Sequence, residues 1–383
     1  MSTIAVNNIT DEQGSGRPVF TNGVQTSNIN GGQVGGRRNL IINGDMRVAQ
    51  RGTSETGVTS GGFYTVDRFA FTRRLSNDLS VSLNQSNDSP EEFSNSFELI
   101  VDSPETSPER LSIQTRIEAQ DLTHLNYGTE NAKTTTLSFF VKSSETGKYY
   151  VNVRYHDAGQ GYTTGYTINA SNTWEKKVII IPGNTSGAGI ENDNGIGIWL
   201  RWQLGNDPDF VTSNIDVWGD RADHEYNGSD QVNLAEINGA VFKLTGVQLE
   251  VGDTATEFEH RSISEELALC QRYYYQLGPN MQRFGVLGEA IASTVAQFNY
   301  VLPVKMRSSP SLLTDSNTSD YELYRGNQNE NATNISFSSF LNPDGDCWGC
   351  RVNLSVDSGF ISAGQVTQGL GRNNAFFGFD AEL

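Results

Sequence analysis

The stretch Val241–Tyr275 reads VFKLTGVQLEVGDTATEFEHRSISEELALCQRYYY, and it decides the fold because a strand pattern ends within it and a helix pattern begins. Apolar and polar residues alternate over 241–251, as in a strand with one buried face. A break in this alternation at Gly246 predicts a β-bulge. The following segment, 250–261, is polar and contains Gly252, which predicts a connector between two domains.

Ser262 begins the helix pattern. Glu265 lies three residues later, and this spacing of serine and glutamate predicts a capping box. Apolar side chains then recur at helical spacing, so we predict a short linking helix over 262–277. These side chains are Ile263, Leu267, Cys270 and Tyr274.

The rest of the chain predicts an all-β fold. Its 383 residues are too many for one small core, and its 39 glycines favour short strands joined by turns. Repeated strand patterns over 38–261 predict a jelly-roll β-sandwich, and those over 278–383 predict a smaller C-terminal β-sandwich at the tip. The predicted strands of the first sandwich are Leu40–Ile42, Tyr64–Phe71, Phe97–Val101, Leu111–Ile117, Thr135–Val141, Tyr149–Tyr155, Trp174–Ile181, Ile196–Leu204 and Val241–Val251.

Residues 1–37 contain few large apolar side chains and show no sustained period. Such a segment cannot bury a core alone, so we predict an extended N-terminal arm that is ordered against other chains. Its first residues lack the features of a signal peptide, and no window approaches the ~20 apolar residues of a membrane helix. We therefore expect synthesis in a cytoplasm and no membrane insertion.

The formal charge of −18 argues against a nucleic-acid partner, because binding of phosphates begins with a basic surface. It also disfavours long-range attraction to an anionic cell envelope, so recognition of such an envelope has to act at short range. The simplest consequence of the charge is solubility.

The sequence shows no catalytic, metal or cofactor motif. Cys347 and Cys350 have CxxC spacing, but there is no second pair for zinc, so we interpret them as two thiols in a β loop. A carboxylate pair can arise by chance among 45 acidic residues, and we expect no enzymatic activity. The histidines are far apart in sequence: His124, His156, His224 and His260.

Alternation in three predicted strands separates core positions from the opposite face. Trp202 falls on the core side and Trp199 on the other. That other face carries aromatic rings with amide and guanidinium donors, which suit a sugar ring, but the same residues also suit packing on a loop or a neighbouring subunit. The candidate glycan-binding residues are Phe140, Tyr150, Asn152, Arg154, His156, Trp199, Arg201 and Gln203. A second set, predicted in loops of the C-terminal domain, is Tyr321, Tyr324 and Trp348.

Several segments together resemble tail-fibre and related appendage proteins of tailed bacteriophages and prophages, whose middle module is similar to jelly-roll carbohydrate-binding modules. The segments are RNLIINGDM at 38–46, QRGT at 50–53, YTVDRF at 64–69, NGIG at 194–197, 241–258, and EELALCQRYY at 265–274. DEQGSGRPVFTNG at 11–23 is similar to the leader of such fibres, and 377–383 to their usual ending. The resemblance covers most of the chain.

This resemblance implies a homotrimeric virion protein of the tail. Residues 1–37 would dock on another tail protein, and host-surface polysaccharide or lipopolysaccharide would be the partner in host adsorption. It transfers no catalytic residue. Some carbohydrate-binding jelly rolls hold calcium near the first strand, which would point to Asp45, but no second ligand is evident and we expect no metal. The alternatives are a structural virion adaptor without a receptor and, less favoured, a polysaccharide depolymerase.

Overall fold

The computed structural model describes residues 28–29, 32–33, 37–73, 78–105, 110–224, 227–278, 286–315, 317–341, 345–357, 359–372 and 375–383. The predicted arm over 1–37 lies almost entirely outside the described residues, apart from β1 (Asn28–Ile29) paired with β2 (Gly32–Gln33). Among the described residues, no helix combines the length and the apolar character that crossing a membrane requires.

Two antiparallel sheets of six strands pack face to face as a β-sandwich. The first sheet contains, in spatial order, β13 (Trp218–Asp220), β10 (Gln160–Ile168), β9 (Gly147–Tyr155), β12 (Ile196–Gln203), β7 (Leu111–Glu118) and β4 (Ala70–Arg73). The second sheet contains β11 (Glu175–Ile181), β8 (Thr135–Ser143), β14 (Val241–Val251), β6 (Ser96–Ser103), β5 (Ser80–Ser86) and β3 (Ser54–Val58). The short helix α1 (Arg221–His224) follows β13.

The core of this sandwich lies between the two sheets. Trp202 of the first sheet is fully buried, and its ring meets Phe139 of the second sheet edge to face at 5.7 Å. The prediction that Trp202 belongs to the core is therefore confirmed. β14 is a central strand whose register with β8 shifts between Thr245 and Gln248, and Gly246 there has φ of 60°, which confirms the predicted bulge.

The predicted strand Leu40–Ile42 is wrong. These residues form a bend beside β14 that is held by the Asn39 side chain, whose Nδ2 donates to Val247 O at 3.0 Å and whose Oδ1 accepts from Leu249 N at 3.1 Å. Two backbone hydrogen bonds, from Leu40 N to Leu249 O and from Val247 N to Gly44 O, both at 2.9 Å, complete the contact without forming a continuous ladder. The predicted strand Tyr64–Phe71 is also mostly wrong, since β4 begins only at Ala70.

The linking helix is shorter than predicted. Helix α2 spans Ile263–Gln271, and the backbone N–H of Glu265 donates to Ser262 Oγ at 3.2 Å, as expected of the N-cap. Tyr274 is not helical, because β15 (Tyr274–Leu277) pairs with the strand at the end of the chain. Ile263 is 50% exposed rather than packed.

The C-terminal part is a smaller all-β unit of two sheets. One contains β15, β24 (Phe377–Asp380) and β18 (Ser311–Thr314). The other contains, in order, β20 (Gln328–Asn331), β19 (Tyr321–Arg325), β23 (Val366–Gly371), β16 (Leu287–Ala290), β17 (Val295–Met306), β22 (Cys347–Ser355) and β21 (Asn334–Leu341). The core between them contains Phe377 and Phe379 against Tyr300. An all-β fold with β-sandwich units agrees with the prediction, whereas the exact domain boundaries stay a prediction.

A buried set of ion pairs, here called the seam, joins the two β units. Arg51 contacts Asp380 at 3.0 Å and Asp67 at 3.8 Å, while Arg68 pairs with Glu382. The two guanidinium groups also lie 3.5 Å from the ring centre of Tyr274 and 3.4 Å from that of Tyr273, respectively. Because buried charges are tolerated only when paired, these contacts constrain how the units meet.

Candidate functional site

The outer face of the first sheet gathers most of the predicted glycan-binding residues. Strands β9 and β12 are neighbours, and their register places Trp199 beside Arg154, Arg201 beside Asn152, and Gln203 beside Tyr150. His156 directly follows β9. Side chains that alternate away from the core therefore share one surface, which is divided into a covered half and an open half.

The covered half is closed by residues 227–231. Tyr150 is 2% exposed: its hydroxyl donates to Asp230 Oδ1 at 2.5 Å, and its backbone N–H donates to Gln231 Oε1 at 3.0 Å. Asn152 and Gln203 are buried as well and hydrogen-bond to each other. Of the two alternatives, a sugar-binding face or a face packed on a loop, these three buried side chains fit the second, and Tyr150 packs against residues 227–231 directly.

Phe140 does not belong to this surface. It lies on β8 of the second sheet, so its side chain is on the outer face of that sheet, on the other side of the sandwich. There its ring packs edge to face against Phe93 at 5.4 Å. Alternation had placed Phe140 outside the core correctly, but it could not say which sheet the strand joins.

The open half contains a pocket of about 230 Å³, here called the arginine pocket. Strands β4, β7 and β12 contribute its walls. The described lining residues are Thr72, Arg73, Arg110, Ser112, Gln114, Arg116, Trp199 and Arg201. Sequence reasoning named only Trp199 and Arg201. The alternation of β7 held the missing signal, since Ser112, Gln114 and Arg116 occupy its non-core positions.

Trp199 is the organising ring of this surface. Its neighbours across the sheet are Arg116 and Arg154, whose guanidinium carbons lie 4.3 Å and 5.3 Å from the ring centre. Arg201, two residues along the strand, lies at 4.3 Å. The indole N–H donates to Gln114 Oε1 at 2.8 Å and fixes the orientation of the ring. Trp199 therefore sits half-buried among cations rather than as a bare aromatic platform.

The charges around the pocket are crowded. Burial, together with the nearby Arg68 and Arg154, lowers the pKa of Arg116 to about 10. Its Nε is buried without a hydrogen-bond partner among the described residues. The pKa of His156 is lowered too, by burial and then by Arg154. The surroundings of Arg116 and His156 therefore oppose a positive charge on either side chain.

The predicted tip residues do not form one loop cluster. Tyr321 and Tyr324 lie on β19 and Trp348 on β22, and three strands separate these in the order of the sheet. Tyr321 is buried, and its hydroxyl donates to Phe376 O at 2.7 Å, which explains it as a core residue. Trp348 is 46% exposed and stacks on Phe340 at 5.3 Å. Tyr324 is half-buried beside a shallow depression.

The two cysteines and the aspartate considered in the sequence are buried. Cys347 and Cys350 are buried in β22 rather than in a loop, with their sulfur atoms 3.8 Å apart. The hydrogen bond from Cys350 lowers the pKa of Cys347 to about 7. Asp45 is buried and pairs with Arg47. Within the described ranges, no three His, Cys, Asp or Glu side chains are grouped so as to hold a metal ion.

No protein-family model matches the sequence, and no curated protein matches it. Among solved structures, the chain is similar to the enzymatically active domain of tailspike protein 4 from bacteriophage CBA120, with TM-score 0.31 and 14% identity over 56% of this chain and 21% of that chain. A putative sugar-binding protein from Bacteroides thetaiotaomicron gives TM-score 0.30 and 13% identity, over 56% and 100% of the two chains. A family 11 carbohydrate-binding module from Clostridium thermocellum gives 0.28 and 12%, over 54% and 98%. At these TM-scores, fold and function have to be judged from the chain itself.

Proposed function

We propose that this protein is a bacteriophage tail appendage that binds glycan on the host surface through the arginine pocket. The observation that carries the glycan part is the open concavity on the outer face of the first sheet, where Trp199 adjoins amide, hydroxyl and guanidinium groups. The sequence resemblance supplies the virion setting. In that setting, residues 1–37 dock on another tail protein and the C-terminal unit lies outermost.

The composition of the pocket suits a sugar. Trp199 offers apolar surface, while Gln114 and the hydroxyls of Thr72 and Ser112 offer hydrogen bonds at its floor and wall. Its volume of about 230 Å³ is below the roughly 300–1,000 Å³ of sites for drug-sized ligands. The pocket therefore suits one or two sugar units within a longer chain.

The same residues support a proposal of binding without cleavage. Most glycosidases use a pair of carboxyl groups, one on each side of the scissile bond. None of the eight described lining residues is acidic. We accordingly propose no hydrolysis at this pocket, and release of reducing ends from host polysaccharide by the purified protein would establish the depolymerase alternative instead.

A single small pocket binds sugar weakly, so the proposal includes several copies of the chain in one assembly. In a homotrimer, linked sites can raise overall affinity by a factor of ~10²–10⁴ without any new contact. The proposal therefore includes trimerisation, and sedimentation analysis of the full chain tests it. A monomer that adsorbs to host cells as tightly as the trimer would contradict the need for several copies.

A structural virion adaptor without a receptor is the second candidate. It is favoured by one observation, the burial of Tyr150, Asn152 and Gln203, with Tyr150 hydrogen-bonded to Asp230 and Gln231. Residues that looked suited to a ligand are here used for packing. Electron microscopy of particles labelled with an antibody against this chain would show the protein on the virion under either candidate, and unlabelled particles would contradict both.

Trp199→Ala separates the two candidates. We expect it to fold, as judged by near-ultraviolet circular dichroism, and to weaken glycan-array binding and host-cell adsorption by roughly tenfold or more, since a stacked aromatic contributes on the order of 1–3 kcal/mol. Trp174→Ala is the matched control, because it also removes a half-buried tryptophan whose indole N–H donates to a side chain, here Asp88 Oδ1 at 3.1 Å, and it lies beside the second sheet. Wild-type binding by a folded Trp199→Ala protein would leave the adaptor as the better candidate.

A further inference from the structure

Cys347 and Cys350 face the same side of β22, although residues three positions apart in a regular strand face opposite sides. The reason is a β-bulge. The register with β21 shifts directly after the pair of Phe340 and Gly349, so Trp348 is an extra residue in β22. The bulge turns Trp348 outward, where it is 46% exposed, and leaves both cysteines fully buried in the core of the C-terminal unit.

The residue between Trp348 and Cys350 allows this close arrangement. A Cβ atom at Gly349 would lie 2.9 Å from the backbone O of Tyr300 on the adjacent β17, so a larger residue requires a shift of the backbone. The Cys347 thiol donates to Gly349 O at 3.1 Å, and the sulfur atoms of the two cysteines are 3.8 Å apart. A disulfide bond is about 2.05 Å long, so the sulfur atoms need to approach by less than about 2 Å.

The two thiols also differ in acidity. The hydrogen bond from Cys350 stabilises the thiolate of Cys347 and lowers its pKa to about 7, although burial opposes this. The pKa of Cys350 is raised by the same hydrogen bond and by burial. A thiolate reacts with peroxides, and a second thiol beside it can then close a disulfide. The pair therefore contains one attacking sulfur and one resolving sulfur.

We infer that Cys347 and Cys350 are a redox pair that closes to a disulfide when the folded protein meets hydrogen peroxide. The Cys347 thiolate attacks one oxygen atom of the peroxide, the O–O bond breaks, and the products are a sulfenic acid and hydroxide. The Cys350 sulfur then attacks the Cys347 sulfur, which forms the S–S bond and expels the sulfenic oxygen as hydroxide. Both hydroxide ions take up the protons that the thiols release, so two thiols lose two electrons and one peroxide becomes two waters.

The new bond would join the two residues that flank Trp348 and Gly349, and it would fix the bulge in its present form. Reducing conditions keep both thiols free, whereas an oxidising medium closes the bond. We expect the closed form of the C-terminal unit to be harder to unfold. The inference does not depend on the arginine pocket, because that pocket lies in the other β unit.

The test uses the full chain, purified with a reductant that is then removed, and treated with hydrogen peroxide. Free thiols are then labelled with N-ethylmaleimide in denaturant, and the unreduced protein is cleaved with trypsin. Both cysteines of the pair fall in one tryptic peptide, 326–351, and Cys270 falls in another, 262–272. We expect mass spectrometry to show 326–351 without label and lighter by two hydrogens, and oxidised at least roughly tenfold faster than 262–272.

Cys270 is the matched control, because it is the third cysteine of the chain and is equally buried. It lies on α2 near the charged groups of the seam, and burial raises its pKa well above the usual value. We expect Cys350→Ser to prevent closure and to leave a sulfenic acid on Cys347, which dimedone traps, and Cys270→Ser to close like the wild type. The oxidised wild type should melt several degrees above the reduced protein, and dithiothreitol should remove the difference.

The wild type alone can overturn the inference, even if the Cys350→Ser variant fails to fold. Two labels on 326–351 after peroxide treatment would do so. Equal oxidation of 326–351 and 262–272 would do so as well, since general reactivity towards peroxide then explains the result. A disulfide between two chains, seen as a dimer on a non-reducing gel, would also contradict it. A closed protein that melts like the reduced one would overturn the stabilising role of the bond.

Discussion

Both the seam and the arginine pocket are built from arginines, but the charged neighbours of these arginines differ. In the seam, Arg51 and Arg68 are buried against Asp67, Asp380 and Glu382. In the pocket, arginines line a cavity whose described walls contain no carboxylate. The two regions are adjacent, because Arg68 Nη2 donates to the backbone O of Arg116 at 2.7 Å. The seam arginines are paired with carboxylates across the two units, whereas the pocket arginines lie side by side around Trp199.

The pKa values of Arg68 in the seam and Arg116 in the pocket show the same contrast. Burial by itself would lower the pKa of Arg68, but Glu382, with smaller contributions from Tyr273 and Cys270, more than compensates and the pKa is raised. At Arg116, burial and the neighbouring Arg68 act in the same direction, and the pKa is lowered to about 10. The folded protein therefore stabilises the charge of one arginine and opposes that of the other.

The largest expected effect is at the seam. Glu382→Gln leaves Arg68 and Arg51 buried without this partner, so we expect the free energy of unfolding to fall by about 3–5 kcal/mol. Urea denaturation measures it. Glu236→Gln is the control, since this exposed carboxylate should contribute within about 0.5 kcal/mol. Similar values for the two variants would show that the seam does not depend on this pair.

Titration of Asp67 is expected to make the free energy of unfolding depend on pH, with an effect of intermediate size. Burial raises the pKa of Asp67 from 3.8 to about 6, against the opposing effect of Arg51. Because the folded pKa is the higher one, the stabilisation is complete below pH 3.8 and is lost as the pH rises through about 6, by up to about 3 kcal/mol. We expect the difference in unfolding free energy between wild type and Asp67→Asn to shift across this window in that direction. A difference independent of pH would contradict the assigned shift.

The smallest effect has the opposite sign. Arg116→Gln removes a charge that its surroundings oppose, and we expect a gain of only ~1 kcal/mol because the side chain is partly exposed and solvent screens it. Thermal melting of the two proteins at neutral pH provides the measurement. A clear loss of stability would mean that Arg116 belongs with the seam and not with the pocket.

The sequence predicted those features that depend on local periodicity. β14, its bulge at Gly246, the cap at Ser262 and the burial of Trp202 all follow from spacing within a few residues. Strands β5 and β10 were not predicted, although large side chains do alternate with small or polar ones in each of them, because Ser, Thr, Asn and Gly give them a turn-like composition. Their place in the fold comes from pairing with neighbouring strands.

The candidate site was predicted only in part, because its composition depends on distant contacts. Alternation placed Trp199 and Arg201 outside the core, but it did not indicate that residues 227–231 cover Tyr150. Nor did it assign Phe140 to the second sheet. The pairing of Arg68 with Glu382 joins residues 314 positions apart, beyond the reach of any local pattern.

Gly228 has a consequence for the covered half of the outer face. A Cβ atom at this position would lie 2.1 Å from the Tyr150 hydroxyl, so the cover over 227–231 fits only while residue 228 has no side chain. Any larger residue there requires either the Tyr150 side chain or residues 227–231 to shift. Residue 228 therefore couples the path of residues 227–231 to the position of Tyr150 on the outer face of the first sheet.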